Sequence, residues 1–132
     1  MFSSNRTIGF PDCDFAGVIF FPKVFELAHS VFEEFMHVSG YYKEYFINRK
    51  IVYPIIHADV SFLNPIKIGD SIIIMLSLKS IRSSSFEVEY EFSSSNSELK
   101  AIVTTVHCAV DSVHENKTEI CDQLREILEK LK

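Results

Sequence analysis

A chain of 132 residues with 47% hydrophobic and 23% charged side chains can bury one core without disulfides or metals, and it has the balance of an ordinary globular protein. Its formal net charge of -5 argues against generic nucleic-acid binding, which needs a basic face to displace counterions, but it leaves room for a small anionic ligand held by a few local cations. Cys13, Cys108 and Cys121 are odd in number, far apart and without a CxxC pair, so they read as reduced thiols and not as a disulfide frame or zinc site. No apolar run approaches the roughly 20 residues of a spanning helix. Met1 to Thr7 carries no basic-then-apolar signal pattern. The expectation is one domain over residues 1–132, cytoplasmic, with no nucleic-acid or membrane partner.

Arg6 to Phe10 reads as a first short strand, stopped by Gly9 and Pro11. From Pro22 to Ser39 the period is helical. Val24, Leu27, Ala28, Val31, Phe32, Phe35, Met36 and Val38 fill about half the circumference, with Lys23, Glu26, Ser30, Glu33, Glu34 and His37 opposite. Pro22 suits a helix start and Gly40 a helix stop. So wide an apolar face requires a broad partner such as a sheet. Tyr41 to Arg49 reads as a second short helix.

The period then becomes two. Val52, Pro54, Ile56, Ala58, Val60 and Phe62 alternate with Tyr53, Ile55, His57, Asp59 and Ser61, which predicts a long strand with Pro54 near its start or at a bulge. Asn64-Pro65 breaks it. Ser71 to Ile81 sets Ile72, Ile74, Leu76 and Leu78 on one face. Phe86, Val88, Tyr90 and Phe92 alternate with Glu87, Glu89 and Glu91, and Lys100 to Val110 forms a fourth strand of this run. Serine-rich turns of hairpin length make these strands antiparallel neighbours. Ile120, Leu124, Ile127 and Leu131 mark a closing helix. The fold class is α+β, an antiparallel sheet wrapped on one long helix.

Asp14 stands just ahead of the long helix, where unpaired backbone N–H groups and the positive dipole end favour negative charge. It reads either as a turn or cap carboxylate or as a group that acts on a carbonyl carbon. Asp12, after Pro11, fits a turn better. Gly17 permits either a positive φ or close backbone approach. His29 lies at the edge of the apolar face, and His57 and Asp59 share one strand face at i, i+2, within reach of each other. Cys13 has no local histidine to activate it and reads as packing. His107 and Cys108 point to opposite faces and form no dyad. G-x-S-x-G, G-x-G-x-x-G, Walker A and H-E-x-x-H are all absent, which disfavours nucleotide folds and metallohydrolases.

Asp12-Cys13-Asp14-Phe15-Ala16-Gly17 and the hydrophobic run Val18 to Pro22 resemble the opening signature of the hotdog-fold 4-hydroxybenzoyl-CoA thioesterase family. Pro54-Ile55-Ile56-His57-Ala58-Asp59-Val60-Ser61-Phe62-Leu63-Asn64-Pro65 resembles its second block, and Gly69-Asp70 and Phe86 to Glu91 extend the likeness over roughly Arg6 to Val110. The second block and the Phe86 strand look closest to the branch that hydrolyses 1,4-dihydroxy-2-naphthoyl-CoA in phylloquinone biosynthesis. The resemblance implies a hotdog fold and a thioesterase in which Asp14 is the catalytic carboxylate, acting as nucleophile or as a base for water. It also implies that the backbone N–H of Phe21 polarises the thioester oxygen. Where the hydroxybenzoyl enzymes carry a helix aspartate near the aromatic ring, this chain has His29, which favours a bicyclic hydroxyaromatic acyl group.

Further implied are substrate contacts at Gly17, His29 and His57, and CoA phosphates held by Lys79, Arg82 and Lys100. No metal and no cofactor beyond the CoA of the substrate is expected. The expected assembly is a homodimer or homotetramer with sites at the subunit interface. A broader short- or medium-chain or aromatic acyl-CoA (or acyl-carrier-protein) thioesterase and a non-catalytic acyl-CoA-binding hotdog protein are the alternatives. A hotdog dehydratase fits less well, because it would carry a histidine at the position of Asp14.

Overall fold

A computed structural model describes residues 1–132. The elements in chain order are β1 (Phe2–Thr7), a 3-10 turn (Phe10–Asp12), α1 (Lys23–Val38), a wide π-type turn (Lys43–Asn48), β2 (Ile51–Val52), β3 (Ile55–Phe62), β4 (Ser71–Ile81), β5 (Ser85–Ser94), β6 (Leu99–Cys108), β7 (Val110–Asp111) and α2 (Asp122–Glu129). Five strands form one antiparallel sheet in the order β1-β4-β5-β6-β3, and β2 pairs with β7 in a separate ribbon. The tight turns between β4, β5 and β6 make those three consecutive neighbours. β3 instead crosses to the far edge.

One face of this sheet closes on α1. Ile72, Ile74, Leu76 and Leu78 of β4, Phe86, Val88, Tyr90 and Phe92 of β5, and Ala101 and Val103 of β6 are buried against Val24, Ala28, Val31, Phe32, Phe35 and Met36. Burying side chains of this size contributes about 1.5–3 kcal/mol each, which fixes the helix across the sheet. α1 ends where Gly40 takes φ +74°, a conformation glycine adopts without a Cβ clash. Leu124, Leu128 and Leu131 of the closing segment are fully buried, and the Leu78 N–H donates to the Leu131 carbonyl at 3.1 Å, so α2 seals one end of the core.

The structure corrects four boundaries. The first strand begins at Phe2 and ends at Thr7, not at Arg6 to Phe10, because its polar residues pair with β4 at a sheet edge while Phe2 packs its ring 5.5 Å from that of Phe35. Val38 is exposed and does not belong to the buried stripe of α1. The segment after Tyr41 is a single π-type turn, ended by Arg49 at φ +47°. The strand predicted from Val52 breaks at Tyr53-Pro54: β2 stays on β7, and β3 starts at Ile55 with a bulge between Ile55 and His57.

Candidate active site

The residues around Asp14 form a miniature hairpin. Cys13 bridges Ile19 in antiparallel fashion, the Asp14 N–H donates to the Val18 carbonyl (2.9 Å) and the Phe20 N–H to the Asp12 carbonyl (2.8 Å). The turn at its tip needs Gly17 at φ +80°, with open space around that position. The hairpin is tied to the connection between β3 and β4: Val18 bridges Lys67, the Ile19 N–H donates to the Ile66 carbonyl (2.8 Å), and the Ile68 N–H donates to the Gly17 carbonyl (3.1 Å). These contacts leave the loop little freedom, which is what a reacting group requires of its support.

The two aspartates are used differently. Asp12 Oδ2 accepts the Gly9 N–H at 2.9 Å and closes the 3-10 turn, so Asp12 is a structural turn residue. Asp14 is exposed; its Oδ1 accepts the Ala16 N–H at 2.9 Å, and its Oδ2 accepts no bond within the chain. One oxygen is therefore anchored and the other presented. Burial, followed by the carboxylates of Asp12, Asp14 and Asp70, pushes the Cys13 thiol up, which keeps it in the unreactive protonated form.

At the helix start the expectation of several unpaired amides narrows to one. The Lys23, Val24 and Phe25 N–H groups donate to the carbonyls of Phe20, Phe21 and Pro22, and Pro22 has no N–H. The Phe21 N–H donates to nothing within the chain. It sits at the positive end of α1, where a developing oxyanion is favoured. Beside it lies an apolar groove of about 430 Å³, lined by Val18, Ile19, Phe21, Phe62, Leu63 and Asn64 together with Pro65 and Ile66. Asn64 Nδ2 donates to the Leu99 carbonyl at 2.8 Å, which turns its Oδ1 away from that bond.

His29 is half-buried, with its ring 5.9 Å from that of Phe32 and 6.1 Å from that of Phe46; burial pushes its imidazole down, with Glu33 pulling the other way. His57 and Asp59 form the pair their spacing allows, Nε2 to Oδ2 at 2.9 Å. Val60 packs against the core, so these two, at odd positions of β3, face the outer side of the sheet. Lys100 lies at the Asp14 end: the Leu63 and Asn64 N–H groups donate to its carbonyl, while its Nζ is 2.7 Å from Glu98 and its side chain only 14% exposed. Lys79, 3.6 Å from Glu89, and Arg82, at the β4–β5 turn, lie at the other end of the sheet. With a rise of roughly 3.3 Å per residue along β4, the two ends are about 25–30 Å apart. The three cations do not gather within one chain. Lys67 was missed by sequence reasoning, although its place two residues before Gly69-Asp70 marked it; it is exposed beside Val18 and makes no ion pair.

His107 is a different kind of group. It is fully buried, stacked on Phe86 (centroids 4.6 Å, planes 6° apart) and Phe32 (5.4 Å, 17°), with Nε2 2.9 Å from Thr105 Oγ1. Burial, aided by the charge of His29, pushes its imidazole down to about 4. It is a neutral member of the core.

An antiparallel sheet wrapped on one long helix is the hotdog arrangement, and here a loop carboxylate and a free amide lie at the start of that helix. The match to known proteins agrees and names the family: residues 8–128 match the thioesterase-like superfamily, and the chain belongs to it. It is 34% identical over 129 residues to the 1,4-dihydroxy-2-naphthoyl-CoA hydrolase of Nostoc punctiforme, covering 97% of this chain and 86% of that one. A protein of the same description from Crocosphaera subtropica is 34% identical over 119 residues, covering 88% and 87%. Among solved structures, a 1,4-dihydroxy-2-naphthoyl-CoA thioesterase from Synechocystis superposes with a TM-score of 0.90 at 22% identity, covering 98% of this chain and 96% of that one. A gentisyl-coenzyme A thioesterase gives 0.82 at 21% identity, covering 96% and 98%. At those identities the two structures bear on the fold alone. No helix is long and apolar enough to cross a membrane.

Proposed function

We propose that the chain hydrolyses 1,4-dihydroxy-2-naphthoyl-CoA to 1,4-dihydroxy-2-naphthoate and CoA, as a cytoplasmic step of phylloquinone biosynthesis. The observation that carries the mechanism is the Phe21 N–H, left without an acceptor at the start of α1 on the same braced loop as the free Oδ2 of Asp14. The substrate choice rests on relatives of that description at 34% identity over most of the chain. It rests also on an apolar groove suited to a flat aromatic ring.

In this reading the thioester carbonyl oxygen accepts the Phe21 N–H. That bond strengthens as the oxygen gains negative charge in the tetrahedral transition state, which is where catalysis needs it. Asp14 acts in one of two ways. Its Oδ2 attacks the carbonyl carbon, the C–S bond breaks, CoA leaves as a thiolate that takes a proton from water, and a second water hydrolyses the mixed anhydride. Alternatively Oδ2 takes a proton from water while that water's oxygen bonds to the carbonyl carbon, and the C–S bond then breaks with the proton passing to the thiolate. Both routes end in a carboxylate and a thiol, and both consume only water. His29, whose charged form burial beside Phe32 and Phe46 disfavours, offers a hydrogen-bonding partner for a ring hydroxyl. Gly17 keeps the loop tip free of a side chain that would crowd the acyl group.

The site of one chain is open to solvent, with Asp14 exposed and Phe21 62% exposed. A second copy against β3 would shield it, so the working enzyme is a homodimer or a pair of dimers. A kinetic panel of dihydroxynaphthoyl, hydroxybenzoyl and straight-chain acyl thioesters of CoA tests the proposal. The largest kcat/KM is expected for the dihydroxynaphthoyl compound; a preference for straight-chain acyl groups would overturn the substrate, and no turnover of any thioester would overturn the activity.

A further inference from the structure

The groove beside Phe21 is apolar with one exception. Of the eight residues that line it, Asn64 alone carries a polar side chain. Asn64 is half-buried and held from several directions. Its Nδ2 donates to the Leu99 carbonyl at 2.8 Å, its own N–H donates to the Lys100 carbonyl at 3.1 Å, and the Leu63 N–H donates to that same carbonyl at 2.9 Å. Pro65 follows directly, which biases the Asn64 backbone towards extended conformations. A carbonyl can only accept, so the atom facing Leu99 is the amide nitrogen and the orientation of the amide is fixed. Oδ1 accepts no bond within the chain.

Tying the end of β3 to β6 uses only the nitrogen of this amide, and the oxygen is surplus to that task. An acceptor in an apolar wall costs free energy unless something donates to it. Water meets that need while the groove is open; once an acyl group fills it, the ligand has to. The groove thus presents two unsatisfied groups of opposite kind, the Phe21 N–H as donor and Asn64 Oδ1 as acceptor. A straight-chain or bare aromatic acyl group has a carbonyl oxygen for the first and nothing for the second. An acyl ring that carries a hydroxyl has a partner for both.

We propose that Asn64 Oδ1 accepts a hydrogen bond from a hydroxyl of the acyl ring, and that this bond sets a preference for hydroxylated aromatic thioesters over bare ones. The proposal rests on the thioesterase reading above and adds to it the side chain that distinguishes one aromatic acyl group from another. Because Leu99 and Pro65 already hold the amide in place, little ordering is needed when the ligand arrives. A site built to bond a hydroxyl discriminates well, since a ligand without one leaves the acceptor covered and unpaired. His29 packs near Phe46 and is not on this wall, so the contact at Asn64 is separate from the one His29 offers.

The test uses four CoA thioesters of the naphthoyl ring: with both hydroxyls, with each one alone, and with neither. Wild-type protein should show kcat/KM roughly tenfold higher or more for the dihydroxy compound than for the bare ring. Asn64→Leu keeps a side chain of similar size and removes the acceptor. It should lower kcat/KM roughly tenfold for the dihydroxy compound and for one of the two monohydroxy compounds, with little change for the other two. Asn64→Asp has the same size and still offers an acceptor, so it should keep the wild-type ranking; it decides the question if the leucine variant does not fold. A fall shared by all four compounds would assign Asn64 to the pantetheine arm, the attacking water or support of the loop, and would overturn the proposal. So would a wild type indifferent to ring hydroxyls, or an Asn64→Asp protein that has lost the ranking. Failure of the thioesterase reading would look different: wild-type protein would hydrolyse none of the four.

Discussion

His107 supplies the sharpest stability prediction. Its ring packs against both Phe32 and Phe86 with no carboxylate against it, so a proton on it is opposed by burial and by His29. An imidazole that titrates near 6.5 in the unfolded chain and at about 4 in the folded one is linked to about 3 kcal/mol of stability, at about 1.4 kcal/mol per tenfold difference in proton affinity. The sign follows from the proton count. Between these two values the unfolded chain holds a proton that the folded chain refuses. This contribution is therefore fully present above pH 6.5 and is lost as the pH falls towards 4. His107→Gln keeps a partner for Thr105 Oγ1 but cannot titrate. Urea unfolding at fixed protomer concentration, at pH 7 and at pH 4.5, should show the wild type losing about 2–3 kcal/mol more than the variant. Carboxylates held down in the fold, such as Glu34 and Asp111, also contribute acid lability, but they are common to both proteins and cancel in the difference. Equal losses in wild type and variant would refute the buried neutral imidazole.

Two further predictions concern the active-site loop. Phe21→Pro deletes an N–H that has no acceptor within the chain, so it should lower kcat by roughly 10²–10³ with a much smaller change in KM, whereas Phe21→Ala, which keeps the amide, should retain most of the activity; steady-state kinetics of the pair decide this, and equal loss in both would remove the oxyanion role. Gly17→Val meets no steric neighbour but places a β-branched residue at φ +80°, so a stability loss of about 1–2 kcal/mol is expected in urea unfolding, with a larger proportional fall in kcat because the strain is local to the Asp14 turn.

Much of this architecture was legible because periodicity and burial coincide in it. The alternation of Ile72 to Leu78 and Phe86 to Phe92 survives as buried faces of two central strands, and the helical stripe from Val24 to Met36 meets them. Legibility ended where burial depends on distant neighbours. β3 alternates like a half-buried strand, yet it is exposed on nearly every residue because it crosses to the sheet edge beside β6, a topology that no local pattern encodes. β1 is too polar to announce itself and is made a strand by pairing with β4. At the site, the distinction between Asp12 and Asp14 is a matter of hydrogen bonds, one carboxylate closing a turn and the other leaving an oxygen free. The spread of Lys79, Arg82 and Lys100 to opposite ends of the sheet, and the approach of Lys67 to Val18, follow from strand register and not from spacing in the chain.

In the proposed reaction the Asp14 carboxylate drives hydrolysis of the thioester, as nucleophile or as base for water. Asp14→Asn keeps the Oδ1 acceptor for the Ala16 N–H, so the loop is expected to fold unchanged. It removes the carboxylate that serves as nucleophile or base, a loss of roughly 10²–10⁴ for general acid–base catalysis alone. Single-turnover hydrolysis of dihydroxynaphthoyl-CoA by a folded Asp14→Asn protein should be slower by at least about a hundredfold, with the thioester still bound; hydrolysis within a few-fold of the wild-type rate would contradict the account.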